Sequence, residues 1–367
     1  MSSRLENIRN RFEEFGVDSL LVSSPDNRRY LSDFTGTAGT LLITKNDAIL
    51  ATDFRYIEQA GTQSPEFKIL RITGSVDWIP DLLEQLGSRN VGFESQHLSV
   101  ASHNSIQTSL QKTTYGKSVG LLPVYGIVES VRILKDVSEM RALTRAIEIS
   151  DKAFDEISRT LDLGQTEKEI AWKLEKLMRE LGADSPSFDT IVAIGPNAAL
   201  PHHTPDDSVI EYGKPLIIDM GARYEGYCSD LSRTLFVGTP DDTFATVYDT
   251  VLSAQLTAIS TVQSGMTGGE ADGLARIVIE EAGYGENFGH SLGHGVGLEI
   301  HEQPGIGPNS SIVLSDGMPF TIEPGIYISG WGGVRIEDVV VLENGKAKVI
   351  SNASKLDSIG DKHDNKL

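Results

Sequence analysis

Four carboxylates in two folded-back ribbons constrain this chain more than any other feature. Asp219 and Asp230 are eleven positions apart, and Glu323 and Glu337 fourteen apart. Each pair straddles a turn-forming stretch, Tyr224-Glu225-Gly226 and Ser329-Gly330-Trp331-Gly332-Gly333, so each segment reads as a β-hairpin. Folding the strands back brings the acids of a pair within about a residue of opposition, where Cβ atoms lie about 5 Å apart and like charges destabilise the sheet. In a partly buried site each pair costs on the order of several kcal/mol. One strand-end acid is ordinarily a cap or a surface charge, but two such hairpins in one chain require something positive between them.

Between the ribbons runs GHSLGHGVGLEIHE, residues 289 to 302, which sets His290, His294 and His301 among glycines. Five of the eight histidines fall either here or in Pro201-His202-His203, a clustering that chance does not explain. Four carboxylates and one or two imidazoles exceed what one catalytic zinc takes. They suit two divalent ions sharing bridging carboxylates about 3.5 to 4 Å apart. An oxygen-rich shell with an imidazole favours Mn²⁺, with Co²⁺, Fe²⁺ or Zn²⁺ also admitted, over an all-oxygen Ca²⁺ or Mg²⁺ site. Water on such ions loses a proton near neutral pH and becomes a nucleophile. The sequence has no GxSxG elbow or nucleophilic-cysteine motif, and the glycines of GHGVG do not follow the Walker pattern, which leaves hydrolysis by activated water as the class of chemistry.

At 367 residues the chain exceeds what one core usually holds. A formal charge of −20 argues against a nucleic-acid partner, which needs a basic face. No apolar run approaches the roughly 20 residues of a membrane span. The opening MSSRLENIRNRFEEFG lacks a signal-peptide pattern, and Cys228 is the single cysteine, so a cytoplasmic location is expected and Cys228 reads as a packing residue.

Leu5, Ile8, Phe12 and Phe15 predict a first amphipathic helix capped by Ser2 or Ser3. Strands and helices then alternate to about residue 122, an α/β domain assigned to residues 1–130. In a second domain, 131–352, Met140, Leu143, Ile147, Phe154, Ile157 and Leu161 predict a long helix beginning near Ser138 and ended by Gly164. Thr166 with Glu169 forms a capping box for the next helix, which stops at Gly182. Further helices are expected at 242–262 and 270–282, so that helix, helix and acid-bearing hairpin occur twice and imply two related halves. Residues 353–367 read as a polar tail.

The motifs IIDMGARYEGYCSDLSRT (217 to 234), GHSLGHGVGLEIHEQPG (289 to 305), TIEPGIYI (321 to 328) and GVRIED (333 to 338) resemble the pita-bread metallopeptidases, in the Xaa-Pro aminopeptidase and prolidase branch. With TDFRYIEQA (52 to 60) and ALPHHTP (199 to 205) the resemblance spans both domains. It implies a creatinase-like α/β N-terminal domain and an α+β pita-bread domain with pseudo-symmetric halves. It implies that Asp219, Asp230, His294, Glu323 and Glu337 ligate two metals, with Asp230 and Glu337 bridging them. Glu323 would handle the proton of the attacking hydroxide, while His202 and His301 bind substrate and stabilise the tetrahedral intermediate. His290 is placed by the substrate pocket and Tyr327 at the border of the cleft. Arg335, two positions from Glu337 on the same strand face, can orient the carboxylate shell. His203 is expected to be merely exposed, and Asp53, Arg55 and Tyr56 to be structural or at a subunit contact. A homodimer is expected from the family.

Prolidases often carry an arginine just after the HExP segment to grip the carboxylate of a dipeptide; here that position is Gly305. The substrate expected is therefore a longer peptide with proline second, cleaved by an Xaa-Pro aminopeptidase, with Xaa-Pro dipeptidase the alternative. The extra N-terminal domain argues against methionine aminopeptidase, and the full ligand set argues against a metal-free amidinohydrolase or a non-catalytic binding protein.

Overall fold

The computed structural model describes residues 3–355 and the backbone of strand Ser358–Ile359. Ser2 and most of the polar tail lie outside the described residues. The chain divides into two compact units, Met1–Arg132 and Ile133–Leu367.

The first unit has strands β1 (Ser19–Val22), β2 (Thr40–Thr44), β3 (Ala48–Thr52), β4 (Lys68–Arg71), β5 (Asn90–Glu94) and β6 (Gly120–Val124). Its helices are α1 (Ser3–Arg9), α2 (Pro25–Ser32), α3 (Ile57–Gln63), α4 (Trp78–Leu86), α5 (Val100–Gln111) and α6 (Glu129–Arg132). The strands form one mixed sheet in the order β4-β3-β2-β1-β5-β6. Leu21, Leu42, Val91 and Phe93 of the sheet pack on Ile79 and Leu83 of α4 and Ile106 and Leu110 of α5, which is why these short segments alternate apolar residues at periods of two and about three and a half. The first helix is shorter than its apolar spacing predicts. It ends at Arg9, and the chain continues in turns that still bury Phe12.

The second unit opens with α7 (Val137–Ser158) and α8 (Glu167–Glu180). The cap of α7 is Asp136, not Ser138: its side chain accepts from Ser138 N and Glu139 N, and Glu139 answers with a reciprocal bond. The helix stops at Ser158, and Gly164 serves a left-handed turn beyond it (φ 84°). Thr166 and Glu169 form the capping box of α8 as expected. Strands β7 (Ser185–Pro186), β8 (Ile191–Ile194), β9 (Pro215–Met220), β10 (Ala222–Tyr224), β11 (Tyr227–Cys228) and β12 (Leu231–Val237) follow. The second half repeats the plan: α9 (Asp242–Thr261), α10 (Gly268–Glu281) with the capping box Thr267/Glu270, then β13 (Gly293–Gly295), β14 (Glu302–Ile306), β15 (Pro319–Ile322), β16 (Gly325–Ile328), β17 (Gly332–Arg335), β18 (Asp338–Glu343) and β19 (Lys346–Val349).

Each half buries its helix pair on its own strands. Phe154, Ile157, Ile170 and Leu174 pack with Ile218, Leu231 and Leu235, whereas Phe244, Val251, Ala275 and Ile279 pack with Phe320, Ile322, Val340 and Leu342. Neither long hairpin is the continuous ribbon that its sequence suggests. In the first, β9 and β12 share one sheet while β10 and β11 belong to another; in the second, β15 and β18 share one sheet while β16 and β17 pair separately. Pro324, which has no N–H to donate, sits at the second break.

Candidate metal centre

Strand register decides where the acids meet. Gly325 pairs with Arg335 and Ile322 with Asp338, and the same register sets Glu323 opposite Glu337 between the two sheets. In the first hairpin Asp219 pairs with Ser232, so Asp230 is its diagonal neighbour on the same face rather than its direct opposite. The two hairpins are stitched together where Glu337 N donates to Ser232 O (3.0 Å) and where Arg335 N donates to Thr234 Oγ1 (2.9 Å). That stitch brings Asp230 and Glu337 together: with His294 they offer ligand atoms that all lie within 4.8 Å of one another.

The histidine stretch is held to the same point by its backbone. His294 N donates to Thr321 Oγ1 (3.0 Å), Glu323 N donates to Leu292 O (2.8 Å), and Leu292 N donates to Asp272 Oδ1 (2.9 Å). The glycines permit this approach, since a Cβ on Gly293 would lie 2.0 Å from Thr321 O and one on Gly295 2.2 Å from Gln303 O. Nδ1 of His294 faces the carbonyl of Gly295 (3.1 Å), a bond for which it must carry the proton. Nε2 then lies 3.2 Å from Glu323 Oε1 and 3.5 Å from Asp230 Oδ2, and although burial opposes it, the hydrogen bond and charge of Glu323 raise the basicity of the ring, so Nε2 also carries a proton when no cation is bound. A bound cation would take the place of that proton, with the freed lone pair as its ligand.

These groups line a cleft of about 630 Å³ together with Phe188, Ile191, Pro201, His202, Ile300, His301 and Gly305. His301 stacks edge-on to His294 with ring centroids 4.3 Å apart, and burial followed by the nearby charges of His294 and His202 lowers its basicity. The imidazoles of His202 and His301 thus line the same cleft as the acids.

Arg335 is buried and fully engaged. It donates to Asp219 Oδ2 (2.7 Å), Ser232 Oγ (2.7 Å) and the Tyr327 hydroxyl (2.8 Å). Tyr327, expected at the border of the cleft, meets the cleft lining through His290, and burial pushes its phenol up to about 12. Its hydroxyl contacts His290 Nε2 (3.0 Å), while His290 Nδ1 faces Ser291 O (2.8 Å). Burial lowers the basicity of His290, so a neutral ring with Nδ1 protonated accepts from Tyr327, and the whole relay from Arg335 to His290 has one direction.

The carboxylates are in tension without a cation. Burial, then the charges of neighbouring acids, pushes Asp230 and Glu337 well above the usual carboxylate range; burial also raises Asp219 against the pull of Arg335. Burial works to raise Glu323 as well, but the hydrogen bond and charge of His294 outweigh it and leave Glu323 low. Asp219 Oδ1 and Glu337 Oε1 are buried oxygens that accept no hydrogen bond. Orphaned acceptors beside like charges are what a bound divalent ion would satisfy, and the donor set fits one.

Residues 141–344 match the pattern of metallopeptidase family M24, and residues 4–134 that of the creatinase/prolidase N-terminal domain. The chain belongs to metallopeptidase family M24. Among solved structures, this M24 peptidase is similar to an Xaa-Pro dipeptidase from Bacillus anthracis, with 43% identity and a TM-score of 0.92 over 97% of this chain and 99% of that one. It is also similar to an X-Pro aminopeptidase from Thermotoga maritima, with 36% identity and a TM-score of 0.86 over 94% and 99% of the two chains. An uncharacterized peptidase of Bacillus subtilis, YqhT, is 42% identical over 96% of this chain and 99% of its own length. The two units are therefore a creatinase-type N-terminal domain and a pita-bread catalytic domain, and the protein is a metallo-exopeptidase of the Xaa-Pro dipeptidase and aminopeptidase type. Family membership implies a dinuclear metal site. Among the described residues, no helix of this M24 peptidase is long and apolar enough to cross a membrane.

Of the residues that hold the site from behind, the sequence points to Arg335 but not to Ser232 or Thr321. All three lie two positions from a candidate ligand along the chain, the period that puts side chains on one face of an extended segment. Asp272, Arg276 and Glu167 sit on helices and had no such signal. Arg276 pairs with Asp272 (2.6 Å) and donates to His290 O (2.8 Å), which fixes the entry to the histidine stretch. His203, expected to be exposed, has a side chain only 9% accessible and meets Glu167 at 2.7 Å.

Proposed function

We propose that this M24 peptidase removes the N-terminal residue from peptides longer than two residues that carry proline second, with Asp219, Asp230, His294, Glu323 and Glu337 holding two divalent ions, most favourably Mn²⁺. When bound, the ions lower the pKa of water and supply the nucleophile. Asp230 and Glu337, the two carboxylates brought together by the stitch between hairpins, would be shared by the two ions, as the family resemblance implies. Glu323, whose carboxylate lies beside His294, would take up the proton released at the nucleophile. His202 and His301 donate to the oxygen on which charge develops, and donors so placed contribute roughly 3 to 4 kcal/mol each in a dry site. His290, made neutral by burial, shapes the wall that accepts substrate. Phe188, Ile191, Pro201 and Ile300 supply apolar surface suited to a proline ring. Proline's missing N–H makes such surface, and not a hydrogen bond to that nitrogen, the means of recognition.

The observation that carries the preference for longer peptides is the cation inventory of the cleft. Gly305 occupies the wall, and Arg335 is the only lysine or arginine among the lining residues, already committed to Asp219, Ser232 and Tyr327. A dipeptide's carboxylate therefore meets no uncommitted lysine or arginine there. The dipeptidase reading is favoured by the similarity to the B. anthracis enzyme, and His202 or His301 could take the carboxylate in its place. A Mn²⁺-reconstituted assay decides between them. Xaa-Pro-Xaa tripeptides are expected to be cleaved with a kcat/KM at least about tenfold above that of Xaa-Pro dipeptides, and cleavage of dipeptides alone would reverse the assignment. Activity in Glu337→Gln equal to the parent's would remove the metal mechanism. A homodimer acting in the cytoplasm completes the proposal, and sedimentation velocity tests the assembly.

A further inference from the structure

The carboxylate of Glu167, at the first position of α8 and fully buried, gathers a segment to which it is remote in sequence. Oε1 accepts from Ile194 N (2.8 Å) and Asn197 Nδ2 (3.0 Å); Oε2 accepts from His203 Nε2 (2.7 Å) and Asp206 N (3.0 Å). Its own backbone N–H donates to Ser208 O (3.0 Å). Both ends of the stretch from Ile194 to Asp206 are therefore tied to one side chain, and the stretch carries His202 at its middle. His202 does not lie in an extended run. It sits in a turn closed by His203 N donating to Leu200 O (3.1 Å), so the residue that closes the turn is also the one whose imidazole is pinned to Glu167. Because a carboxylate only accepts, His203 Nε2 carries the proton. The side chains of the pair are 9% and 0% exposed, so little solvent competes for this bond.

We propose that Glu167 and His203 are positioning residues for His202: the buried pair fixes the turn that presents the His202 imidazole to the cleft lined by the acids. The inference rests on the proposed role of His202 in binding substrate. Both histidines line the cleft, but they then have different work: His203 is held by Glu167 and holds the loop, and the loop presents His202. The same three groups Glu167, His203 and Asp206 are close enough to suggest an ion, but both Glu167 oxygens already accept two hydrogen bonds each, so the cluster is complete as it stands.

The test is a double-mutant cycle on the Mn²⁺-loaded enzyme with an Xaa-Pro-Xaa tripeptide. His203→Leu is expected to lower kcat/KM by about 10- to 100-fold, the scale of a misplacement near 1 Å, with bound manganese unchanged. His203→Gln, which keeps a donor able to reach Glu167, is expected to stay within about threefold of the parent. In the His202→Ala background the same His203→Leu change is expected to cost less than about twofold, because the group it positions is gone. Losses that multiply instead, or a His203→Gln variant as impaired as His203→Leu, would overturn the proposal. If His203→Leu folds poorly, His203→Asn, too short to span the gap, replaces it in the same cycle. Failure of the parent enzyme to cleave any Xaa-Pro peptide would strike the proposed function and leave this inference to amide exchange. Faster exchange across 195–208 in His203→Leu would then support it, and unchanged protection would refute it.

Discussion

Glu337→Gln is expected to stabilise the metal-free protein while destabilising the metal-loaded one relative to the parent. Ligand oxygens of Asp230 and Glu337 lie within 4.8 Å, where two unit charges repel by about 3 kcal/mol at an effective dielectric of 20. Part of that repulsion is already relieved by a proton, since burial and then the neighbouring acids raise both groups. The net gain from a neutral amide is therefore about 1 to 2 kcal/mol, or about 2 to 8 °C in Tm for a domain of this size. A carboxyl raised in the folded state contributes its stability below its unfolded value and loses it as pH climbs through its folded value. The advantage of the variant in chelator should accordingly widen between pH 5 and pH 8. Manganese at 100 times its Kd adds about 2.7 kcal/mol per ion to the parent. Loss of the bridging oxygen should cut that increment to below about 1 kcal/mol at the same concentration. Differential scanning calorimetry with chelator and with Mn²⁺ reads both effects. A chelated variant that melts below the parent at pH 8, or one that keeps the full manganese increment, would refute the reasoning.

Arg335→Met should cost about 3 to 5 kcal/mol in urea unfolding of the metal-free protein, because Asp219 and the Tyr327 hydroxyl lose their buried donor; a loss below about 1 kcal/mol would show that Asp219 is satisfied another way. Gly293→Ala should force β13 from β15, since its Cβ would meet Thr321 O at 2.0 Å. A stability loss of about 1 to 3 kcal/mol and manganese binding weakened at least about tenfold are expected by calorimetric titration, and unaltered affinity would mean that the backbone approach does not place His294.

The legible parts of this protein were those whose cause is local. Thr166 with Glu169 caps a helix through contacts three residues apart, and the like-charged hairpins expose themselves by the spacing of acids around a turn. The structure kept Glu323 opposite Glu337 but shifted Asp219 to a diagonal with Asp230. Sequence did not show that each ribbon divides between two sheets, because strand periodicity is the same on both sides of a break such as Pro324. Nor did it show the partners of the histidines. Glu167 and His203 are 36 residues apart, and a helix-first acid reads as a favourable charge at the positive end of α8 until the fold brings a loop to it. The start of α7 near Ser138 was legible, but Asp136, two residues earlier, has a capping side chain that reaches both Ser138 N and Glu139 N.

The stitch between hairpins also governs when an ion can be captured. Asp219 and Asp230 are near neighbours in sequence, as are Glu323 and Glu337, but His294 stands apart from both pairs, and Ser232 meets Glu337 across more than a hundred residues. A nascent or denatured chain thus presents a cation with at most two of the five candidate ligands in either hairpin. Manganese will be taken up after the two halves have closed on each other, so loading reports completed folding and does not guide it.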